Sequence, residues 1–536
     1  MMEEQIVNLT CNGYEASYEL NNIINMFRAF IHEDIEIVAD YMDQIATVTL
    51  KAPNSEEITY SEKVEDLIDI IEPAQIVKDN VEEGKNEKKD KNRQEKIADS
   101  ELIDGMLAET KKEEAKREET KEEKFNKKLI KNALKRVCYD ALSKYTNYRL
   151  PWGILTGIRP TKIVHELIHE GKDDNEIDSI LENTYKISPN KRNLMIQVAK
   201  RELSVLDNNK PGAINIYIGI PFCPTRCVYC SFTAYSLEKC SQYTEPYLEA
   251  LFKEIEFVAG AKKNANIHSL YIGGGTPTSL NEDQLESLLK HIKANFDLSQ
   301  IEEYTIEAGR PDTITPEKLR IMKQYGVSRI SINPQTMNQK TLDLIGRRHS
   351  VENIIEVFEE ARKAGHDNIN MDIILGLPGE TPEDVEYTIS ELKKLKPENI
   401  TVHTMAIKRA SRLREIMRER DVNLTQAKDI ERMLEICEKE IAEIGLVPYY
   451  MYRQKNMLGN YENVGYATKD TFGIYNIEIM EEAETIIALG AGAITKIVYG
   501  DGTKIDRVPN VKSLTDYINR IDEMIERKKE GFIKYV

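Results

Sequence analysis

The sequence has few cysteines for its length, only seven among 536 residues. An odd number of cysteines scattered along a long chain does not form the disulfide framework of a small secreted protein. The sequence also lacks a run of about 18 apolar residues, the length that a membrane-spanning helix needs. Its first residues, Met1-Met2-Glu3-Glu4, are acidic where a signal peptide carries basic residues. We therefore expect a cytoplasmic protein with reduced thiols and no membrane span.

The charge balance lacks the positive excess that nucleic-acid-binding proteins use. Aspartate and glutamate number 91 against 73 lysines and arginines, which gives a formal net charge of −18. A phosphate backbone repels such a chain, so nucleic acid is not expected as the main partner. Hydrophobic residues make up 41% of the chain, which supports a sizeable core. The length suits about three or four domains.

Apolar periodicity divides the chain into five predicted segments. Residues 1–75 alternate between strand and helix patterns and predict a small α+β N-terminal domain. Residues 76–128 mix Lys and Glu without apolar periodicity, which predicts a charged linker. Helical spacing of apolar residues then predicts a helical region over 129–212. Strands and helices alternate over residues 213–410, and residues 411–536 predict a C-terminal α+β domain that covers the substrate as a lid.

The alternation over residues 213–410 predicts an α/β fold, a partial (β/α)6 barrel. The β-rich stretches are Ile214–Ile220, Ser269–Gly273, Tyr304–Ala308, Ser328–Asn333, Asn370–Leu375 and Ile400–Met405. The helical patterns between them are Tyr247–Val258, Glu282–Asn295, Pro316–Tyr325, Val351–Ala364 and Pro382–Leu395. Strands that alternate with helices pair in parallel through right-handed crossovers. Six units make an open relative of the eight-stranded barrel, whose functional residues follow the carboxyl ends of its strands.

Unusual residues follow every predicted strand, as a site at the barrel mouth requires. In chain order they are three cysteines, Gly273-Gly274-Gly275-Thr276-Pro277-Thr278, Glu307, Asn333-Pro334-Gln335, Asp372 with Gly376-Leu377-Pro378-Gly379, and His403 with Ala406. Each motif is weak by itself, because a single glycine-rich turn is most often only a turn. Six such motifs in register on one face predict a functional site there.

The three cysteines of this set, Cys223, Cys227 and Cys230, have the spacing C-x3-C-x2-C. The spacing brings three thiolates to one side of a tight loop and leaves a fourth coordination position open, as in catalytic metal sites. Thiolate ligation selects an iron–sulfur cluster, zinc or Cu(I). The alternative is a structural zinc site completed by a distant cysteine or histidine. The remaining cysteines stand alone and are expected to be buried or inert: Cys11, Cys138, Cys240 and Cys437.

Residues 213–410 resemble the radical S-adenosylmethionine (SAM) enzymes. The resemblance rests on the cysteine motif, on Tyr229 before its last cysteine and on the glycine turn at Gly273–Gly275. It implies that the three cysteines hold three irons of a [4Fe–4S] cluster. The amino and carboxylate groups of SAM would chelate the fourth iron.

A closer resemblance is to the oxygen-independent coproporphyrinogen III oxidase group. The shared marks are Tyr217-x-x-Ile220-Pro221-Phe222-Cys223, Gly273–Thr278, Ile306-Glu307, Gln335, Arg347 and Asp372-x-x-x-Gly376-Leu377-Pro378. Within this group, the extended N-terminal region and Tyr452-Arg453-Gln454-Lys455-Asn456 look like the coproporphyrinogen dehydrogenase HemZ branch.

The resemblance implies roles at the SAM site by position. Gly275 and Thr276 would lie along the methionyl part, Glu307, Gln335, Arg347 and Asp372 around the carboxylate and ribose, Ile374 and Ala406 beside the adenine, and Tyr217 at the border of the cluster. Elementary chemistry agrees with two of these roles. A carboxylate such as Asp372 accepts both ribose hydroxyls, and an arginine such as Arg347 matches a carboxylate bidentately.

The resemblance further implies an oxidoreductase of porphyrin and haem biosynthesis. The cluster, reduced by a flavodoxin- or ferredoxin-type electron donor, would cleave SAM to methionine and a 5′-deoxyadenosyl radical. The radical would remove hydrogen from the β-carbon of a coproporphyrinogen III propionate, and loss of carbon dioxide and one electron would leave a vinyl group. Two such steps give protoporphyrinogen IX. Basic residues that could contact propionates are Arg409, Arg453 and Lys455.

Phe232 departs from the best-known oxidases of the group, which have a cysteine at its position. The related haem chaperones have an aromatic residue there. A haem-trafficking protein with a radical SAM cluster is therefore the alternative function, and a porphyrin or haem sensor is a third. Cleavage of SAM under reducing conditions distinguishes the enzyme from both.

Overall fold

The chain divides into two compact units in the computed structural model of the protein. The first comprises Met1–Thr156 and Ile163–Ile196, and the second comprises Gly157–Lys162 and Gln197–Val536. The structure describes residues 5–67, 121–157, 159–230, 234–263, 265–406, 427–454, 460–500 and 504–534. The charged linker predicted at 76–128 thus lies outside the described residues as far as residue 120. The predicted domain boundaries stay predictions.

The first unit is built on a four-stranded sheet. In sheet order its strands are β1 (Val7–Asn12), β2 (Ile35–Met42), β3 (Ile45–Lys51) and β4 (Ile58–Lys63). β1 and β2 run parallel, and the other neighbours run antiparallel. The helices α1 (Ser17–Phe27) and α2 (Lys121–Thr146) contribute Leu20 and Leu134 to the same hydrophobic core as Val48 of β3. This packing gives the N-terminal part its mixed α+β character, as the sequence predicts.

The predicted helical region contains α3 (Thr161–His169), α4 (Asp174–Tyr185) and α5 (Pro189–Leu206). Local sequence fixes where α4 begins. The carboxylate of Asp173 accepts a hydrogen bond from the backbone N–H of Glu176 at 2.9 Å, and the Glu176 side chain accepts one from the N–H of Asp173 at 2.9 Å. This reciprocal pair satisfies two donors that the first turn of a helix leaves free.

The second unit contains the six predicted parallel strands. In chain order its first strands are β5 (Ile214–Ile220), β6 (Phe222–Cys223), β7 (Tyr235–Ser236), β8 (Ile267–Gly274), β9 (Glu303–Gly309), β10 (Arg329–Ile332), β11 (Ile369–Leu375) and β12 (Asn399–Thr404). The helices among them are α6 (Leu237–Cys240), α7 (Thr244–Ala261), α8 (Glu282–Asn295), α9 (Pro316–Gln324), α10 (Gln339–Leu344), α11 (Val351–Lys363) and α12 (Pro382–Leu395). The long strands pair in parallel in the order β5-β8-β9-β10-β11-β12. The predicted partial (β/α)6 barrel is confirmed.

Caps and prolines explain why several of these helices begin where the sequence predicts. Pro316 and Pro382 occupy the first position of α9 and α12, where a missing N–H costs nothing. Thr315 and Thr381 precede them, and each accepts a hydrogen bond from the first helical turn. Asn281 forms the same type of cap before α8.

The C-terminal segment extends the barrel sheet at both of its edges. Its elements are α13 (Ala427–Glu443), β13 (Val447–Arg453), β14 (Glu462–Ala467), α14 (Ile474–Glu481), β15 (Thr485–Leu489), β16 (Ile494–Tyr499), β17 (Lys504–Pro509), α15 (Leu514–Asn519) and α16 (Ile521–Lys534). β14 pairs antiparallel with β12, and β15 pairs parallel with β5. The order of the whole sheet is β13-β14-β12-β11-β10-β9-β8-β5-β15-β16-β17. None of the helices in the described ranges is long and apolar enough to cross a membrane.

A buried ion pair joins the C-terminal helices to the barrel. Lys528 of α16 lies 2.7 Å from Glu254 of α7, and both side chains are fully buried. Tyr517 donates a hydrogen bond to Glu254 at 2.6 Å, the N–H of Gly490 donates another at 2.8 Å, and Asn510 accepts one from Lys528 at 2.7 Å. Because these neighbours satisfy both charges, the network fixes where the C-terminal helices dock.

Replacing Lys528 by methionine removes the cation and leaves the Glu254 carboxylate buried without it. We expect the free energy of unfolding to fall by about 3–5 kcal/mol. The double variant with Lys528→Met and Glu254→Gln carries neither charge and should recover at least about half of that loss. Urea denaturation measures both effects. A single variant as stable as the unmodified chain would show that the ion pair does not have this role.

Candidate active site

A cavity of about 390 Å³ lies at the carboxyl ends of the barrel strands, a volume typical of small-molecule sites. The predicted site residues that line it are Cys223, Cys227, Cys230, Gly275, Thr276, Glu307, Gln335, Arg347, Asp372, Ile374 and Ala406. Tyr217 is not among the lining residues. Its ring stacks on Tyr271, which does line the cavity, with 6.2 Å between the ring centroids. The barrel therefore brings together the residues that the sequence places after separate strands.

The three thiols lie on the loop that follows β5. Cys223 ends β6, and the N–H of Cys230 closes the next turn by donating to the carbonyl of Cys227 at 3.2 Å. Burial raises the pKa of Cys223 to about 11; the thiols of Cys230 and Cys227 raise it too, while a hydrogen bond with the Thr276 hydroxyl lowers it. A bound cation is what would hold such sulfurs as thiolates. Phe232 lies outside the described residues.

Arg310, the residue that follows β9, forms hydrogen bonds with the cysteine loop. Its Nη1 donates to the Thr225 hydroxyl at 2.8 Å and lies 3.9 Å from Cys227 Sγ. Asp312 accepts hydrogen bonds from Arg310 Nε at 2.9 Å and from Nη2 at 2.6 Å. Burial opposes the charge of Asp312, yet the nearby His349 and the hydrogen bonds from Arg310 lower its pKa. Arg310 was not predicted, although it lies only two residues after the third predicted strand.

The glycine turn after β8 lies directly against the cysteine loop. The N–H of Gly275 donates to the carbonyl of Ile220 at 2.8 Å, and that of Thr276 donates to the carbonyl of Phe222 at 2.7 Å. A Cβ at Gly275 would lie 2.5 Å from the Phe222 carbonyl oxygen, and Gly274 has a φ of +108°. Only glycine permits this approach and this backbone conformation.

Glu307 is a buried carboxyl group on β9 that faces the glycine turn. Tyr271 donates a hydrogen bond to its Oε1 at 2.5 Å, and the N–H of Gly274 donates to its Oε2 at 3.3 Å. Burial leaves few water molecules to solvate the charge of Glu307. This burial and, to a smaller extent, the nearby charge of Asp372 raise its pKa to about 7. Glu307 therefore exchanges a proton near neutral pH.

Asp372, on β11, is the second buried acid of the cavity. Its Oδ1 accepts a hydrogen bond from Asn370 at 2.7 Å, and its Oδ2 lies 3.7 Å from Nε2 of His403. Burial opposes the charge of Asp372, but the nearby His403, Asn370 and Thr401 side chains outweigh it and lower the pKa. Asp372 is thus held as a carboxylate, in contrast to Glu307.

Gln335 and Arg347 complete the predicted set. Gln335 has a φ of 69°, which is uncommon for residues other than glycine. Its backbone forms two hydrogen bonds with β11: its N–H donates to the carbonyl of Asp372 at 2.9 Å, and its carbonyl accepts from the N–H of Ile374 at 3.0 Å. Arg347 is buried and donates to the Tyr229 hydroxyl at 3.0 Å. Its Nε has no hydrogen-bond partner. A buried donor without a partner points to an acceptor supplied by a ligand.

The C-terminal strands also contribute to the cavity lining. Tyr450 and Tyr452 of β13 line it, and the hydroxyl of Tyr452 lies 3.3 Å from Nδ1 of His403. Arg453, a predicted propionate contact, does not line the cavity; it is buried and donates to the carbonyl of Asn460 at 2.9 Å. The other predicted contacts, Arg409 and Lys455, lie outside the described residues. The aromatic residues interleaved with Arg and Lys in this stretch suit a flat ring that bears carboxylates, and two of its tyrosines do line the cavity.

The residues present fit a cluster and SAM. The three cysteines lie on one loop and line the same cavity. Thiolate ligands suit an iron–sulfur cluster, and three of them leave one iron free for a further ligand. The unpartnered Nε of Arg347 suits the SAM carboxylate, and Asp372 suits the ribose hydroxyls.

Comparison with known proteins supports the same chemistry. Residues 217–392 match the Radical SAM superfamily. The chain is 40% identical over 414 residues to the oxygen-independent coproporphyrinogen-III oxidase-like protein HemZ of Bacillus subtilis (strain 168), covering 76% of this chain and 81% of that protein. It is 32% identical over 306 residues to the heme chaperone HemW of the same organism, covering 56% and 75%. It is 27% identical over 316 residues to the oxygen-independent coproporphyrinogen III oxidase of Salmonella typhimurium, covering 58% and 66%.

Substituting Gly275 by alanine tests the contact between the glycine turn and the cysteine loop. Because the added Cβ meets a backbone oxygen, we expect a stability loss of about 1–3 kcal/mol and a lower content of iron and sulfide after anaerobic reconstitution. Gly260→Ala in α7 is the matched control, since its Cβ meets nothing within 4 Å. Thermal denaturation and iron analysis measure the effects. Equal cluster content in both variants would contradict the proposed packing.

The raised pKa of Glu307 makes folding less favourable as the pH rises. Its carboxyl titrates near 4.5 ordinarily and near 7 in the fold. The stabilisation is therefore fully present below about pH 4.5 and is lost as the pH rises through about 7, a change of at most about 3 kcal/mol. Glu307→Gln does not titrate, so its melting temperature should gain on the unmodified chain between pH 5 and pH 8. A constant difference across this range would show that the carboxyl is not perturbed.

Proposed function

The chain belongs to the radical SAM superfamily, in the family of HemZ and the oxygen-independent coproporphyrinogen III oxidases, and we propose that it converts propionate side chains of coproporphyrinogen III to vinyl groups. Two such conversions yield protoporphyrinogen IX. The observation that carries the proposal is that three thiols lie in one cavity with Arg347, Asp372 and Glu307. The 40% identical relative, whose name is oxidase-like, supports the choice of substrate.

The proposed reaction turns a –CH2–CH2–CO2⁻ group into –CH=CH2. One hydrogen atom leaves the β-carbon, the carboxylate leaves as carbon dioxide, and one electron passes to a one-electron acceptor. When bound, the [4Fe–4S] cluster and SAM supply the radical that takes the hydrogen atom. A flavodoxin- or ferredoxin-type protein is the proposed source of the reducing electron.

In this proposal the charged residues of the cavity orient SAM. Asp372, held as a carboxylate by its neighbours, accepts the ribose hydroxyls. Arg347 donates its unpartnered Nε to the SAM carboxylate, while Tyr229 keeps the guanidinium in place. Gly275 and Thr276 lie along the methionyl chain, because their turn contacts the cysteine loop. Bound in this way, SAM would have its reacting end beside the thiols.

The remaining lining residues exclude water and shape the cavity. Ile374, which is buried, and Ala406 are the proposed apolar neighbours of the adenine. Tyr450 and Tyr452 present ring surface to the cavity from the C-terminal strands, and flat rings suit a porphyrinogen. A site that excludes water protects a radical from side reactions.

Haem trafficking is the second candidate function. It is favoured by the 32% identity to a protein named heme chaperone, over 75% of that protein's length. The aromatic residue Phe232, at a position where the best-known oxidases have cysteine, agrees with it. In that case the chain would bind haem, and the cavity would contribute little turnover.

An anaerobic assay separates the two functions. Reconstituted chain with dithionite, SAM and coproporphyrinogen III should release 5′-deoxyadenosine and carbon dioxide and form the divinyl product, with two SAM consumed per protoporphyrinogen IX. Liquid chromatography with mass spectrometry measures all of these products. Stoichiometric haem binding without SAM cleavage would instead establish the trafficking function, and cleaved SAM with unconverted coproporphyrinogen III would refute the substrate.

Two cysteine variants serve as a matched pair in this assay. Cys227→Ser removes a cluster ligand and should lower turnover at least about 100-fold, because serine is a poor ligand for cluster iron. Cys240→Ser changes a half-buried free thiol outside the cavity lining and should stay within about 3-fold of the unmodified chain. Equal losses in both variants would mean that the thiols of the loop have no special role.

A further inference from the structure

A second group of metal-ligating side chains lies away from the cavity, at the amino end of β8. It consists of His268, Glu478 of α14 and Glu484, which precedes β15; we call it the His268 group. One ligand atom from each of them lies within 4.8 Å of the others. All three residues are buried, with 5%, 0% and 7% of their surface exposed. Six residues of extended strand, about 20 Å, separate His268 from the glycine turn at Gly274.

Neighbouring amides hold the two carboxylates in place. Asn215 donates to Glu484 Oε2 at 2.8 Å, and Asn209 donates to Glu478 Oε1 at 2.7 Å. Nδ1 of His268 lies 2.9 Å from the same Glu484 Oε2. The backbone N–H of Glu484 also faces the Glu478 carboxylate. The hydrogen bonds from Asn215, Asn209 and the backbone N–H hold the two carboxylates from outside the group, as the outer contacts of a metal site do. The contact of His268 with Glu484 joins two members of the group, and the other ring nitrogen of His268, Nε2, lies 3.6 Å from Glu302.

Three oxygen atoms of this region have no hydrogen-bond partner. They are Oε1 of Glu484, Oε2 of Glu478 and Oδ1 of Asn209. A buried carboxylate oxygen without a partner costs free energy in a dry site. A cation among these atoms would supply the missing partner.

The ligand types and the distances identify the class of ion. Metal–ligand bonds of about 2.0–2.2 Å place opposite ligands about 4.0–4.4 Å apart, so atoms already within 4.8 Å need only a small contraction. An imidazole nitrogen with carboxylate oxygens suits Mn²⁺, Fe²⁺ or Zn²⁺, whereas Ca²⁺ and Mg²⁺ prefer oxygen ligands alone. We propose that His268, Glu478 and Glu484 bind one divalent transition-metal ion.

The proposed ion links segments that are far apart in the sequence. His268 belongs to the barrel, whereas Glu478 and Glu484 belong to the C-terminal segment. α14, which carries Glu478, also carries Asn476 and Met480, and both of these line the cavity. Binding of the ion would therefore stiffen one wall of the cavity without taking part in its chemistry.

Manganese binding to the full-length, metal-depleted chain tests the proposal. Mn²⁺ favours oxygen and nitrogen over thiolate, so the three cysteines do not compete for it. Free Mn²⁺, followed by electron paramagnetic resonance, should show one bound equivalent. Glu478→Gln and Glu484→Gln should each weaken binding at least about 10-fold. Glu380→Gln, a buried carboxyl change outside the His268 group, is the matched control and should leave binding unchanged.

Circular dichroism shows which variants fold. Less than one equivalent of Mn²⁺ on the unmodified chain would overturn the proposal without reference to any variant. Binding that survives in folded Glu478→Gln and Glu484→Gln would overturn it as well. If neither variant folds, His268→Asn takes their place, and the melting temperature is measured with and without Mn²⁺. A rise with Mn²⁺ in the unmodified chain that is absent from His268→Asn supports the site. The same rise in both chains would place the ion elsewhere.

Discussion

Two backbone hydrogen bonds between the glycine turn and the cysteine loop hold the cavity in shape. They run from Gly275 to Ile220 and from Thr276 to Phe222. Backbone bonds of this kind fix the positions of two loops without depending on any side chain. They put the Thr276 hydroxyl 3.4 Å from Cys223 Sγ. The parallel barrel brings its strand ends to one edge, and this contact sets how the first two of them meet.

The neighbours of each ionisable side chain in the cavity affect whether it is charged. Arg310 is paired with Asp312, and Asp372 accepts a hydrogen bond from Asn370 and lies 3.7 Å from His403. Glu307 accepts hydrogen bonds from neutral donors, and its burial raises its pKa to about 7. A low-dielectric site keeps a charge only where neighbours stabilise it. The arrangement therefore distinguishes two buried acids that look equivalent in the sequence.

Much of the barrel and of its site can be predicted from the sequence, because the relevant signals are local. β5, α8 and α12 have the predicted bounds, since apolar runs, prolines and cap residues mark them. The His268 group could not be predicted, because strand pairing between distant segments assembles it and leaves no periodic trace. Arg310 could have been predicted, because it lies just after a predicted strand.

The pairing of β15 with β5 has a consequence for folding during synthesis on the ribosome. β5 is the first barrel strand to be synthesised, yet its outer neighbour consists of residues 485–489. At typical elongation rates, on the order of ten to fifty seconds separate the two. Throughout that interval one side of the growing sheet exposes unpaired N–H and C=O groups, which attract strands of other chains. Translation speed and chaperone supply thus bear on how much of this protein reaches its native state.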